Sequence, residues 1–161
     1  KAGELMELIS KYPVWMHRLN KKPVLDDLPE IVYSKPEFFN RVEAYKNSGR
    51  SLIAQVEQSI GEKNAGLQAK IALGDWYMEQ GDISQAVVWG VRALREQPNR
   101  RAYELAYQRP FDEEVQRASV EFNLDPFLIW AVMREESYYR KDAVSRVGAL
   151  GLMQQIGRAH V

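Results

Sequence analysis

Two adjacent carboxylates, Glu135 and Glu136, close a very apolar stretch, Phe127-Leu-Ile-Trp-Ala-Val-Met133, and a glycine-containing segment, Gly148-Ala-Leu-Gly-Leu-Met-Gln154, comes soon after. Glu136 falls on the helical stripe of Ile129, Val132 and Met133, because steps of three and four residues return to one face. Glu135 is backed in the same way by Leu128, Ala131 and Val132. A carboxylate on such a face is expected to be poorly solvated, and the negative end of the helix dipole acts in the same direction. It should then keep its proton to higher pH than an exposed one, as a general acid working near neutrality must. Periodicity alone leaves both glutamates open.

The element that must present them is a helix. Asp125 can cap its free amides and Pro126 suits its first position. The run from Phe127 to Met133 is apolar on every side, which predicts burial all round. Each residue also has a plainer reading. Arg140 could pair with Glu136 one turn away, Ser137 and Ser145 could be cap or turn residues, and Gly148 and Gly151 could simply turn the chain.

Arg134-Glu-Glu-Ser137 together with Gly148-Ala-Leu-Gly-Leu-Met-Gln154 resembles the first two motifs of the lytic transglycosylase domain found in the soluble lytic murein transglycosylases. Arg109-Pro-Phe111 and Leu124-Asp-Pro126 are similar to the approach to that domain, with Gln108 where a proline is common. The resemblance implies that Glu136 is the catalytic acid and Glu135 its neighbour. It implies that Ser145 contacts the substrate's acetamido group, that Met153 and Gln154 line the sugar cleft, and that Ser137, Gly148 and Gly151 support the motif. Gln154 could offer sugar both a donor and an acceptor. Arg146 replaces a frequent proline in the loop.

Most glycosidases work with two carboxylates flanking the bond, whereas this family is understood to use one. The resemblance therefore implies protonation by Glu136 of the glycosidic oxygen between N-acetylmuramic acid and N-acetylglucosamine in peptidoglycan glycan strands. The substrate's acetamido group would steady the developing charge, and the muramoyl 6-hydroxyl would close a 1,6-anhydro ring. No cofactor and no metal are implied, and the location implied is the bacterial periplasm or cell envelope. Two alternatives stand beside this reading: a goose-type lysozyme hydrolase, and a non-catalytic helical-repeat binding module.

Ahead of this segment the chain reads as helical hairpins. Leu73-Gly74, Tyr77, Gly81, Ala86, Ala93 and Pro98 resemble the spacing of a tetratricopeptide repeat, with Gly81 in the turn. Tyr45, Gly49 and Ala54 reproduce Tyr77, Gly81 and Ala86 at an offset of 77 − 45 = 32 residues. Pro13, Pro23, Pro29 and Pro36 predict irregular or short helical structure over residues 12–36. The expected architecture is all-α: a helical-repeat superhelix over residues 1–100, a connection at 101–111, and the first part of a lysozyme-like catalytic domain at 112–154. Asp112, Glu113 and Glu114 favour a helix start.

Composition sets the outer limits. The 161 residues are 45% hydrophobic, enough to bury a core. Lys+Arg and Asp+Glu are both 22, so no basic excess points to nucleic acid or an anionic membrane. There is no cysteine, and the two histidines, His17 and His160, have no zinc-ligand spacing. No apolar run is long enough to span a bilayer.

Beyond Gln154 the chain departs from the resemblance. Ile156-Gly-Arg-Ala-His-Val161 is the translation of ATC GGA AGA GCA CAC GTC, a common sequencing-adaptor run, so residues 155–161 read as a non-native read-through tail. The chain is then expected to be a fragment that is inactive by itself. Trp130 and its neighbours are expected to be partly exposed for want of the later motifs.

Overall fold

The structure is a computed structural model and describes residues 28–156. Pro13, His17, Pro23 and His160, and most of the segment read as a tail, lie outside the described residues. Within them the chain is all-helical: α1 (Glu37–Asn47), α2 (Ser51–Lys63), α3 (Leu67–Glu79), α4 (Ile83–Glu96), α5 (Arg100–Ala106), α6 (Asp112–Phe122) and α7 (Pro126–Ser137). None of these is long and apolar enough to cross a membrane.

Helices α1 and α2 form one hairpin and α3 and α4 a second, and the two turns are built alike. Gly49 and Gly81 sit at φ +73° and +76°, where a Cβ is disfavoured. Tyr45 and Tyr77 each offer a carbonyl to the amide five residues on, from Arg50 and Asp82, at 2.9 Å in both turns. Ala54 and Ala86, at equivalent places, are both buried. The paired carbonyl bonds satisfy groups that a helix end otherwise leaves open. The equivalence read at an offset of 32 residues is thus physical: the same turn is made twice.

Side-chain caps mark other boundaries. Asp82 accepts from the Gln85 amide at 3.0 Å and starts α4, and the fully buried Asn99 accepts from Ala102 at 2.8 Å and starts α5. Caps of this kind contribute about 1 kcal/mol each. Helix α5 occupies the first half of what the sequence suggested was a connection. It packs closely on α4 because Gly90 has no side chain: a Cβ there would lie 2.6 Å from the Ala106 amide nitrogen.

The hairpins share a core of Phe39, Val42, Ala54, Leu73, Trp76 and Trp89. A separate cluster joins the hairpins to the last two helices: Val87 and Val91 of α4 and Ala106 of α5 pack with Val115 of α6 and with Ile129, Trp130 and Met133 of α7. The helix carrying the two glutamates therefore rests on α4 and α5.

Candidate active site

Helix α7 starts as its sequence dictates. Asp125 accepts from the Phe127 amide at 2.8 Å and Pro126 takes the first position. The expectation of burial on every side is not met. Ile129, Trp130 and Met133 are buried, whereas Phe127 and Leu128 are 61% and 53% exposed. An apolar sequence does not say how many sides have neighbours, and the described residues cover only one. Trp130 also reverses its expectation. It is buried, and its indole N–H donates to the Pro110 carbonyl at 2.8 Å.

Glu135 and Glu136 are both exposed. The burial argued for Glu136 from its stripe is therefore absent among the described residues. In the last turn of α7 the side bearing Glu135 and Glu136 faces outward, while Ser137 is buried. The two carboxylates differ in their partners instead. Glu135 is ion-paired with Arg134, while no hydrogen bond or ion pair engages Glu136 among the described residues, Arg140 included.

Arg134 is fixed on three sides. Its Nε donates to the Ala106 carbonyl at 2.8 Å, its guanidinium lies 4.4 Å from the centre of the Tyr107 ring, and a terminal nitrogen holds Glu135. Tyr107 in turn stacks on Tyr103 at 4.5 Å. Past the helix end, Tyr138 and Tyr139 both take positive φ, 48° and 64°, a conformation that costs a non-glycine residue about 1 kcal/mol. Contacts hold Tyr139 there. It is buried and its hydroxyl reaches the carbonyls of Gln108 at 2.9 Å and Trp130 at 3.3 Å. Burial pushes its phenol up to about 12, with Glu135 raising it further and Arg134 opposing. Three donors, from Arg134, Tyr139 and Trp130, thus engage alternate carbonyls from the end of α5 into the segment before α6, those of Ala106, Gln108 and Pro110.

The segment after the helix folds back onto it. Ser137, buried beside Glu136, lies 3.0 Å from the carbonyls of both Met133 and Leu152, to which its hydroxyl can donate. Ser145 shapes the loop. Its Oγ accepts from the amides of Val147 at 3.3 Å and Ala149 at 2.9 Å, which leaves its hydroxyl proton without an acceptor among the described residues. Gly148 N–H returns to the Ser145 carbonyl at 3.1 Å, so Arg146 occupies the turn position where proline is favoured, and it is exposed. Gly148 and Gly151 take φ +81° and +71°. Isolated bridges pair Leu150 with Val144 on one side and Gln155 on the other.

Met153 packs half-buried against the cluster that contains Met133 and Tyr139. Gln154 differs from its expectation. Its amide nitrogen donates to the carbonyls of Ala143 at 3.1 Å and Gly151 at 2.9 Å, so only its side-chain oxygen remains for another partner. No hydrogen bond joins Glu136 to Ser145, Met153 or Gln154. Three or more His, Cys, Asp or Glu side chains that could hold a metal are not gathered anywhere among the described residues. A groove of about 350 Å³ between α1 and α2, bordered by Phe38, Ile60 and Gly61, contains none of these residues.

Sequence reasoning missed Arg134, Trp130 and Tyr139 as organising residues. The only signal was the presence of three side chains with N–H or O–H donors around an apolar helix, where a buried donor requires an acceptor.

Residues 113–160 match the family described as the Transglycosylase SLT domain. Among solved structures, an inactive mutant of the lytic transglycosylase Slt from Pseudomonas aeruginosa is similar at a TM-score of 0.61 and 21% identity, over 88% of this chain and 24% of that one. The chain thus spans about a quarter of the length of that structure. No curated protein sequence matches. Residues 113–160 are thus similar to that domain, and the likeness to the solved structure is one of all-helical fold.

Proposed function

We propose that this chain belongs to a peptidoglycan lytic transglycosylase in which Glu136 is the proton donor and later the base. The observation that carries the choice of Glu136 is the difference in partners: Glu135 is bound to Arg134, and Glu136 is free among the described residues. A general acid must have its proton available to the leaving oxygen, and an ion-paired carboxylate beside it does not. The reaction is protonation of the oxygen between N-acetylmuramic acid and N-acetylglucosamine, followed by attack of the muramoyl 6-hydroxyl with return of its proton to Glu136. Bonds balance without water, and 1,6-anhydromuramic acid is the product. Ser145, with a hydroxyl proton to donate, suits the acetamido carbonyl, and the Gln154 side-chain oxygen suits a sugar hydroxyl.

Exposure of Glu136 leaves it without the enclosure that catalysis requires, so residues 28–156 alone supply one side of a cleft and are proposed to be inactive. The tetratricopeptide-like assignment of the hairpins, with boundaries near residues 100 and 112, and a periplasmic or envelope location belong to the same proposal. The test is product analysis on purified glycan strands with the product of the complete open reading frame. Anhydro-ended muropeptides are expected, and reducing muramic acid ends would establish a goose-type hydrolase instead.

A further inference from the structure

We propose that Arg134 is a positioning residue that decides which of two neighbouring carboxylates is available for the reaction. The inference rests on the reading of Glu136 as the proton donor. Glu135 and Glu136 are adjacent, both exposed, and both at the end of α7. Chemistry at one of them is disturbed if the other is free to approach the same sugar oxygen or to place a bare negative charge beside the developing positive one.

Arg134 prevents this because its guanidinium is in place before any substrate arrives. Its side chain is only 14% exposed, seated on the Tyr107 ring and hydrogen-bonded to the Ala106 carbonyl. An ion pair between two mobile surface side chains contributes little, since both must be ordered. Here only Glu135 has to be ordered, and the planar fork that receives it is already fixed. Lysine could supply the charge but neither the second nitrogen nor the stacking. The Tyr103–Tyr107 stack extends this support into α5, so the selection of Glu136 is anchored outside the helix that carries it.

The first experiment uses the native chain itself. Carbodiimide coupling of an amine to carboxylates, followed by peptide fragmentation in a mass spectrometer, reports the relative reactivity of the two glutamates. Glu136 is expected to couple about fivefold faster than Glu135, and Arg134→Met, which removes the cation that holds Glu135, should bring the two rates within about twofold. Equal coupling of the two in the native chain overturns the proposal.

The second experiment measures turnover on glycan strands with the product of the complete open reading frame. Arg134→Met is expected to lower kcat on the order of tenfold with KM within about twofold, as for loss of orientation. In a Glu135→Gln background the same change should cost less than about threefold, since the charge that Arg134 restrains is gone. Equal losses in both backgrounds would mean that Arg134 serves only to hold the end of α5, and would also overturn the proposal. Full activity of Glu136→Gln would instead defeat the assignment of the proton donor, which the coupling experiment does not depend on.

Discussion

The Ser137 hydroxyl lies 3.0 Å from the Leu152 carbonyl, joining the end of the helix that bears Glu136 to the loop that carries Met153 and Gln154. A single buried side chain thereby sets the distance between two motifs separated in sequence. Ser137→Ala would leave the Leu152 carbonyl without this donor, at a cost of about 1 kcal/mol. Hydrogen exchange is expected to speed up at the amides of Gly151 and Gln155 while α3 and α4 are unchanged. Unaltered exchange in the loop would contradict this role.

Gly90→Ala should damage the site from a distance. Its Cβ would press on the Ala106 amide and the Leu105 side chain at 2.6 Å, and overpacking of this kind costs about 1–3 kcal/mol. Ala106 is also the residue whose carbonyl holds Arg134. The expected outcome is a lower thermal midpoint together with faster carbodiimide coupling at Glu135, which a local helix defect would not produce.

Gly81→Val should act on stability alone. No atom stands near the position a Cβ would take, so the cost is the strain of φ +76°, about 1–2 kcal/mol for a residue with a side chain. A calorimetric scan should show a lower midpoint, and coupling at Glu135 and Glu136 should be unchanged.

Tyr139 predicts an alkaline weakness. Its folded value, near 12, lies above the ordinary phenol value of 10.0. The stabilisation is whole below pH 10 and is lost as pH rises toward 12, because the unfolded chain ionises first and the folded chain retains its proton. The loss from this group is about 2 kcal/mol. Tyr139→Phe is expected to be less stable at pH 7, where the bonds to Gln108 and Trp130 are missing, yet to lose less between pH 10 and 12. Parallel stability curves for the two proteins would contradict this.

Local chemistry made much of the fold legible in advance. Asp125-Pro126 starts α7, and the repeated spacing of Tyr, Gly and Ala produces two turns with the same hydrogen bonds. What was not legible depends on neighbours. The apolar run of α7 suggested burial on all sides, but Phe127 and Leu128 have solvent on theirs. The stripe beneath Glu136 suggested a buried carboxylate, but Glu136 lies on the exposed side of the last turn while its neighbour Ser137 is packed against the following loop. Arg134, Trp130 and Tyr139 donate to main-chain carbonyls, and a carbonyl leaves no residue-specific mark in a sequence. Gln154 illustrates the converse: its side chain could bond sugar as donor or acceptor, and the loop backbone has taken the donors.

The central claim is that Glu136, and not Glu135, transfers the proton. Release of anhydro-muropeptides from purified peptidoglycan, followed by mass spectrometry with the product of the complete open reading frame, tests it most directly. Glu136→Gln is expected to lose at least ~10²-fold in rate, as removal of a general acid does, with Glu135→Gln losing far less and both variants folded. Full product release by Glu136→Gln, or a larger loss for Glu135→Gln, would contradict the account.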